Sequence, residues 1–119
     1  MERFPEPHDL ISFFESEPTV LDAGVPWVYN HLEFRTKRGA DEFLAIIEPG
    51  SETFRLTWHR DGKELVSFSL ERACRLDLEM GPSRELLMVG VRHSVGVAEL
   101  RFQLKPLPHI EWAVLAGGV

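Results

Sequence analysis

The sequence predicts an α+β fold that is mostly β: a curved antiparallel sheet, a meander of about seven or eight strands, with one short N-terminal helix. Apolar residues recur at helical spacing near the N-terminus, and from Trp27 onwards they alternate with polar ones, as in strands that bury one face. Short turn sequences separate these runs, which favours a meander over crossover connections. With 119 residues, 44% of them hydrophobic, we expect a single domain over 1–119.

The N-terminal part of that domain is an acidic segment, residues 1–22, with a short helix over residues 9–16. The helix begins at His8 or Asp9, after Pro7, and Pro18 ends it. Its apolar residues recur at spacings that share one face: Leu10, Ile11, Phe13 and Phe14. We therefore expect the helix to dock on the sheet, with its carboxylates facing solvent.

The β-rich body covers residues 27–115. Its predicted strands are 27–36, 43–48, 53–59, 64–70, 73–80, 85–91, 97–104 and 109–115. The clearest hairpin joins 53–59 to 64–70, because Asp61-Gly62 tolerates the positive φ angles of a tight turn.

Three further predictions concern the tryptophans, a turn and the chain end. Trp58 and Trp112 follow the inward register of their strands, whereas Trp27 stands at a strand start and is expected at an edge or interface. A turn is predicted from His93 to Gly96, and residues 116–119 are expected to form a loose tail.

Composition excludes several classes of partner. The formal net charge is −6, and the basic cluster Arg35, Lys37 and Arg38 is flanked by carboxylates, so we expect no nucleic-acid partner. No apolar stretch is long enough to span a bilayer and no secretory signal begins the chain, so we expect no membrane association. The single cysteine, Cys74, favours a reducing cytoplasm.

The acidic residues are concentrated near the N-terminus. Six carboxylates there accompany a single basic residue, Arg3: Glu2, Glu6, Asp9, Glu15, Glu17 and Asp22. Such asymmetry indicates a localised negative surface that attracts a basic partner, and these six are our candidate partner-binding residues. A merely solvated acidic end is the alternative interpretation.

No motif in the sequence indicates a particular enzymatic reaction. The five histidines are scattered singly without metal-ligand spacing, and glycine-rich phosphate loops are missing from the sequence, so we expect no metal and no cofactor. The best local constellation is His31 with Glu33, beside Tyr29 and Arg35, although we favour the interpretation that these residues form the ordinary polar solvent face of a strand. Cys74 shares the register of core residues, which favours packing over nucleophilic chemistry.

One family resemblance emerges from these features. The acidic N-terminal segment, the meander containing LVSFSLERACRLDLE and the closing strand PHIEW resemble small immunity proteins of bacterial polymorphic toxin systems. The resemblance implies a non-catalytic cytoplasmic protein that binds the toxic domain of its cognate effector and blocks its active site or substrate surface.

Two alternatives stay open. In the first, the chain is a small-ligand-binding β module or a small enzyme whose site assembles only in three dimensions, and His31, Glu33 and Cys74 are its candidate site residues. In the second, the chain is a subunit that homodimerises through the exposed edge of strand 109–115.

Overall fold

A computed structural model of the chain describes residues 1–93 and 96–115. Within them the main elements are α1 (Pro7–Phe14), β1 (Thr19–Val20), β2 (Leu32–Arg38), β3 (Asp41–Glu48), β4 (Thr53–Arg60), β5 (Lys63–Leu70), β6 (Ala73–Met80), β7 (Glu85–His93), β8 (Gly96–Gln103) and β9 (His109–Leu115). Two single-turn 3-10 helices cover Trp27–Tyr29 and Pro49–Ser51. The predicted tail, 116–119, and the centre of the predicted turn at residues 94–95 lie outside the described residues.

The predicted fold class is confirmed, with a short N-terminal helix and antiparallel strands in sequence order. The described strands form two sheets instead of the single predicted one: a five-stranded sheet ordered β1-β2-β3-β4-β5 and a four-stranded sheet ordered β6-β7-β8-β9. The described residues form nine strands, compared with the seven or eight predicted. The additional strand is β1, Thr19–Val20, which pairs with the start of β2.

Turn chemistry explains the hairpins of the first sheet. In the β4–β5 turn, Asp61 and Gly62 adopt φ angles of 51° and 78°, so the predicted tight turn is present. Gly39 has a φ of 62° in the β2–β3 turn, a conformation that glycine adopts without steric cost.

The core lies between the two sheets and beneath α1. Phe43 of β3 contacts Phe102 of β8 with ring centroids 5.4 Å apart, which joins the sheets at the centre. On α1, Phe13 contacts Phe102 at 5.9 Å and Phe14 stacks on Phe34 of β2 at 4.5 Å. The predicted apolar face of the helix therefore docks on the sheets, with Leu10, Phe13 and Phe14 fully buried.

Some local predictions were wrong. Residues 27–29 form a 3-10 turn instead of opening a strand, and β2 begins only at Leu32. Trp27 packs against Phe34, with centroids 6.0 Å apart, and is half-buried. Trp112 keeps the predicted inward register and stacks on Phe68 of β5, with centroids 6.2 Å apart, but it is 43% exposed because β9 is the edge strand of its sheet.

Candidate partner-binding surface

The six candidate carboxylates lie around α1 and the loop that follows it. Two of them form ion pairs with the body: Glu2 lies 3.2 Å from Arg92 of β7, and Glu15 lies 2.6 Å from Arg38 of β2 and 3.9 Å from Lys105. Glu2 precedes α1 in the chain and Glu15 directly follows it. They fasten the acidic segment to both sheets and partly neutralise its charge.

The remaining four carboxylates are less engaged. Glu6 precedes the helix and Glu17 follows it; both are exposed, and neither forms an ion pair with another described residue. Asp9 lies 3.4 Å from the ring of His8, and the side chain of Asp22 accepts a 3.0 Å hydrogen bond from the backbone of Gly24. The negative charge free to meet a partner is therefore carried chiefly by Glu6, Asp9 and Glu17.

Glu6 and Asp9 border a groove of about 300 Å³ that lies between residues 3–6 and β6. Its opposite wall carries Asp77, which pairs with Arg3 at 3.3 Å and with Arg75 at 3.2 Å. This groove is polar and open, and it joins the acidic segment to the four-stranded sheet.

An ion-pair chain continues from Asp77 across the outer face of that sheet. Arg75 reaches Glu99 at 3.3 Å, Glu99 contacts Arg101 at 2.6 Å, and Arg101 lies 3.7 Å from Glu111. The carboxylate of Glu99 raises the pKa of the Arg101 guanidinium, chiefly through their hydrogen bond. Alternating charges from three strands, β6, β8 and β9, hold this face in one arrangement.

The His31 constellation exists and is larger than predicted. The His31 ring lies 3.2 Å from Glu33 and 3.5 Å from Glu48, so that it bridges two carboxylates, while Arg35 lies 3.8 Å from Glu33. Sequence reasoning missed Glu48 because it belongs to β3. The pairing of β2 with β3, in which Leu32 faces Ile47, is the information that would have predicted the contact between Glu48 and His31.

Cys74 lies in the other sheet, apart from that constellation. Its thiol is buried and donates to the carbonyl of Gly90 at 3.5 Å, beside a register shift in the β6–β7 pairing. Among the described residues no hydrogen bond or ion pair joins Cys74 to His31 or Glu33. The structure therefore does not bring together the three residues named for a catalytic alternative.

Residues 1–93 and 96–115 contain neither a candidate metal site nor a candidate membrane-spanning helix. No group of three or more His, Cys, Asp or Glu side chains in that part of the chain is arranged to hold a metal ion. Within the same residues, no helix is both long enough and apolar enough to cross a membrane.

Sequence reasoning also missed a set of exposed apolar side chains. The large ones are Leu21, Val28, Tyr29, Leu65, Met80, Leu107, Trp112 and Val114. Three of them fall in one loop, between β1 and β2, and two lie on β9. The strand proposed as a dimer edge is thus an edge strand with exposed apolar residues, while pairing of two copies through it stays a prediction.

The fold and these surfaces define a small two-sheet antiparallel protein with an acidic helical segment docked at one side. Its structure is similar to a chain of a contact-dependent growth inhibition toxin-immunity protein complex from Klebsiella pneumoniae 342, with a TM-score of 0.80 and 14% sequence identity, over 94% of this chain and 96% of that one. No family model matches the sequence, and no curated protein matches it. The likeness shows that the two chains share a fold over nearly their whole lengths.

Proposed function

We propose that this chain is a non-catalytic cytoplasmic immunity protein that binds and neutralises the toxic domain of a cognate effector. The observation that carries the proposal is the likeness of its whole fold to a chain of a growth-inhibition toxin-immunity complex. The exposed carboxylates near the N-terminus add a chemical reason for a basic protein partner.

The acidic segment contributes to recognition in two ways. Glu6 and Glu17, together with the partly exposed Asp9, attract a basic toxin surface and raise the association rate, because carboxylates that are not neutralised by a cation set the local potential. Glu2 and Glu15, which pair with Arg92 and Arg38, hold the segment in place so that this potential keeps a fixed geometry. Blocking the toxin then requires only that the bound chain cover its active site or its substrate surface.

The first test is capture of the tagged chain's partner from a lysate of its own organism, followed by a killing assay. The proposal expects a large effector whose isolated C-terminal domain kills cells lacking this chain and spares cells that express it. Recovery of a partner that is not toxic, or a toxin whose killing this chain does not prevent, contradicts the proposal.

Charge-reversed variants test the role of the acidic segment with that toxic domain as the probe. Glu6→Lys with Glu17→Lys should slow association about ten-fold at low ionic strength and flatten its salt dependence. The matched control is Glu64→Lys with Glu71→Lys, which makes the same change of net charge outside the acidic segment, at two exposed carboxylates that form no ion pair with another described residue. Equal slowing by both variants would show that only overall charge matters.

A further inference from the structure

The geometry points to the loop of residues 21–30 as the apolar centre of the partner contact, filling an apolar cleft bordered by basic side chains on the toxic domain. This inference rests on the proposed function, because it names the surface with which the chain holds such a domain. It adds to the acidic segment a short-range contact that controls how long the complex lasts.

The loop exposes large apolar side chains to solvent. Leu21 is 81% exposed, Tyr29 is 77% exposed and Val28 is 43% exposed. The backbone N–H of Leu21 donates to the carbonyl of His31 at 3.1 Å, which brings the two ends of the loop together. Isolated exposed apolar residues are ordinary, whereas apolar residues that cluster on a surface mark sites of protein binding, and this closed loop gathers three of them.

The loop is closed around one buried side chain, Asn30, which is 7% exposed. The Asn30 amide nitrogen donates to the carbonyls of Asp22 at 2.6 Å and Val25 at 3.0 Å. Its side-chain oxygen accepts from the backbone N–H groups of Asp22 at 3.3 Å and His31 at 2.9 Å. Asn30 thereby uses both amide hydrogens and both lone pairs of its carbonyl oxygen.

Trp27 anchors the same loop to the core. Its ring packs edge-on against Phe34, and the 3-10 turn that it opens is closed by hydrogen bonds from Tyr29 to Pro26 and from Asn30 to Trp27, both 3.0 Å. The exposed side chains of Leu21 and Tyr29 therefore stand on a fixed backbone. A preordered binding loop loses little conformational entropy when its partner arrives, which favours affinity.

Carboxylates border the loop and determine the charge of the partner it fits. Asp22 lies within the loop, and Glu33 and Glu48 flank the ring of His31 at its end. Arg35 is the cation that contacts this group, 3.8 Å from Glu33. An exposed tyrosine among carboxylates complements an apolar cleft with lysine or arginine at its rim, because tyrosine supplies contact area and a hydroxyl while the rim charges pair.

The test measures dissociation of the purified toxic domain identified by capture, from this chain and from single variants. Leu21→Ser and Tyr29→Ser should each raise the dissociation rate at least ten-fold, with little change in association rate. The matched control is Leu107→Ser, since Leu107 is 71% exposed in the β8–β9 connection and should leave dissociation within two-fold. Thermal unfolding of each variant should match that of the parent chain.

A second variant tests the fixed backbone. Asn30→Ala should speed amide hydrogen exchange over residues 21–31 of the free chain and raise the dissociation rate of the same toxic domain. If the toxic domain dissociates from the Leu21→Ser and Tyr29→Ser variants no faster than from the Leu107→Ser control, this inference is wrong, while the proposed function still stands. If the parent chain binds no toxic domain, the proposed function fails, and this inference fails with it.

Discussion

Arg75 lies directly over Gly90, its neighbour on the adjacent strand. A Cβ at Gly90 would lie 3.2 Å from the Nε atom of Arg75 and 3.3 Å from its Nη2 atom. The missing side chain leaves the space through which Arg75 reaches Glu99 on the next strand, at 3.3 Å. Glycine at this position thus gives the Arg75 side chain the room that it occupies in the ion-pair chain on the outer face of the second sheet.

Gly90→Ala should therefore destabilise the fold. The new methyl group would displace the Arg75 guanidinium from between Asp77 and Glu99, and overpacking of this kind costs about 1–3 kcal/mol. The free energy of unfolding in urea measures the effect. Gly50→Ala is the control, since its Cβ would meet nothing closer than the carbonyl of Val28 at 3.8 Å. Equal stability of the two variants would contradict the prediction.

Thr36 fastens the end of α1 to the first sheet. Its hydroxyl donates to the carbonyl of Phe14 at 2.7 Å, and Thr36 is 7% exposed. Thr36→Val keeps the shape but leaves that carbonyl without this donor, so we expect the free energy of unfolding to fall by about 1–3 kcal/mol. Thr57→Val, on the outer face of β4, should change it by less than about 0.5 kcal/mol. A Thr36→Val variant as stable as its control would refute the role of this hydrogen bond.

The elements that the sequence predicts well are those determined by local residues. The helix was predictable because Leu10, Phe13 and Phe14 share one face, and all three are buried. The β4–β5 hairpin was predictable because Asp61 and Gly62 accept positive φ angles, as they do in the structure. In both cases the determining groups lie within a few residues of each other.

The division into two sheets could not be predicted in this way. The link Glu71–Arg72 joins β5 of one sheet to β6 of the other, yet its residues resemble those of a turn within a sheet. The meeting of Glu48 with His31 likewise depends on strand register, and the loop around Asn30 depends on contacts eight residues apart. Such features follow from tertiary packing, which a local pattern does not contain.

Acid should weaken the ion pair between Asp41 and Arg60, which lies at one end of the β3–β4 pairing. The hydrogen bond from Arg60, followed by that from Trp58, lowers the pKa of the Asp41 carboxyl. A lowered folded-state pKa stabilises the fold above the unfolded value of about 3.9, and this stabilisation disappears as the pH falls through the folded-state pKa. Asp41→Asn should therefore be less stable than the parent chain at neutral pH, and the difference should shrink below about pH 4.

The measurement is the urea midpoint of the parent and Asp41→Asn chains at pH 7 and pH 3. Arg60→Met removes the other partner of the ion pair, so its stability difference from the parent chain should also be smaller at pH 3 than at pH 7. A chain with both substitutions should be little less stable than either single variant. A stability difference that stays constant between the two pH values would show that the Asp41 carboxylate does not act through its charge.

Two glutamates that follow α1, Glu15 and Glu17, should have different roles: the first stabilises the fold and the second attracts the partner. Glu15 contacts Arg38 at 2.6 Å and Lys105 at 3.9 Å, whereas Glu17, two residues on, is exposed and forms no ion pair with another described residue. Glu15→Gln should lower the free energy of unfolding by up to about 1 kcal/mol, the usual range of exposed ion pairs, and Glu17→Gln should leave it unchanged.

For association with the toxic domain we expect the reverse order. Glu17→Gln should slow association more than Glu15→Gln at low ionic strength, because the Glu15 charge is already balanced by two cations while that of Glu17 is free to attract a basic surface. Stopped-flow association rates at two salt concentrations, with unfolding curves for the same proteins, measure both effects. If Glu15→Gln slows association more, the carboxylates paired within the fold, rather than the free ones, guide the partner.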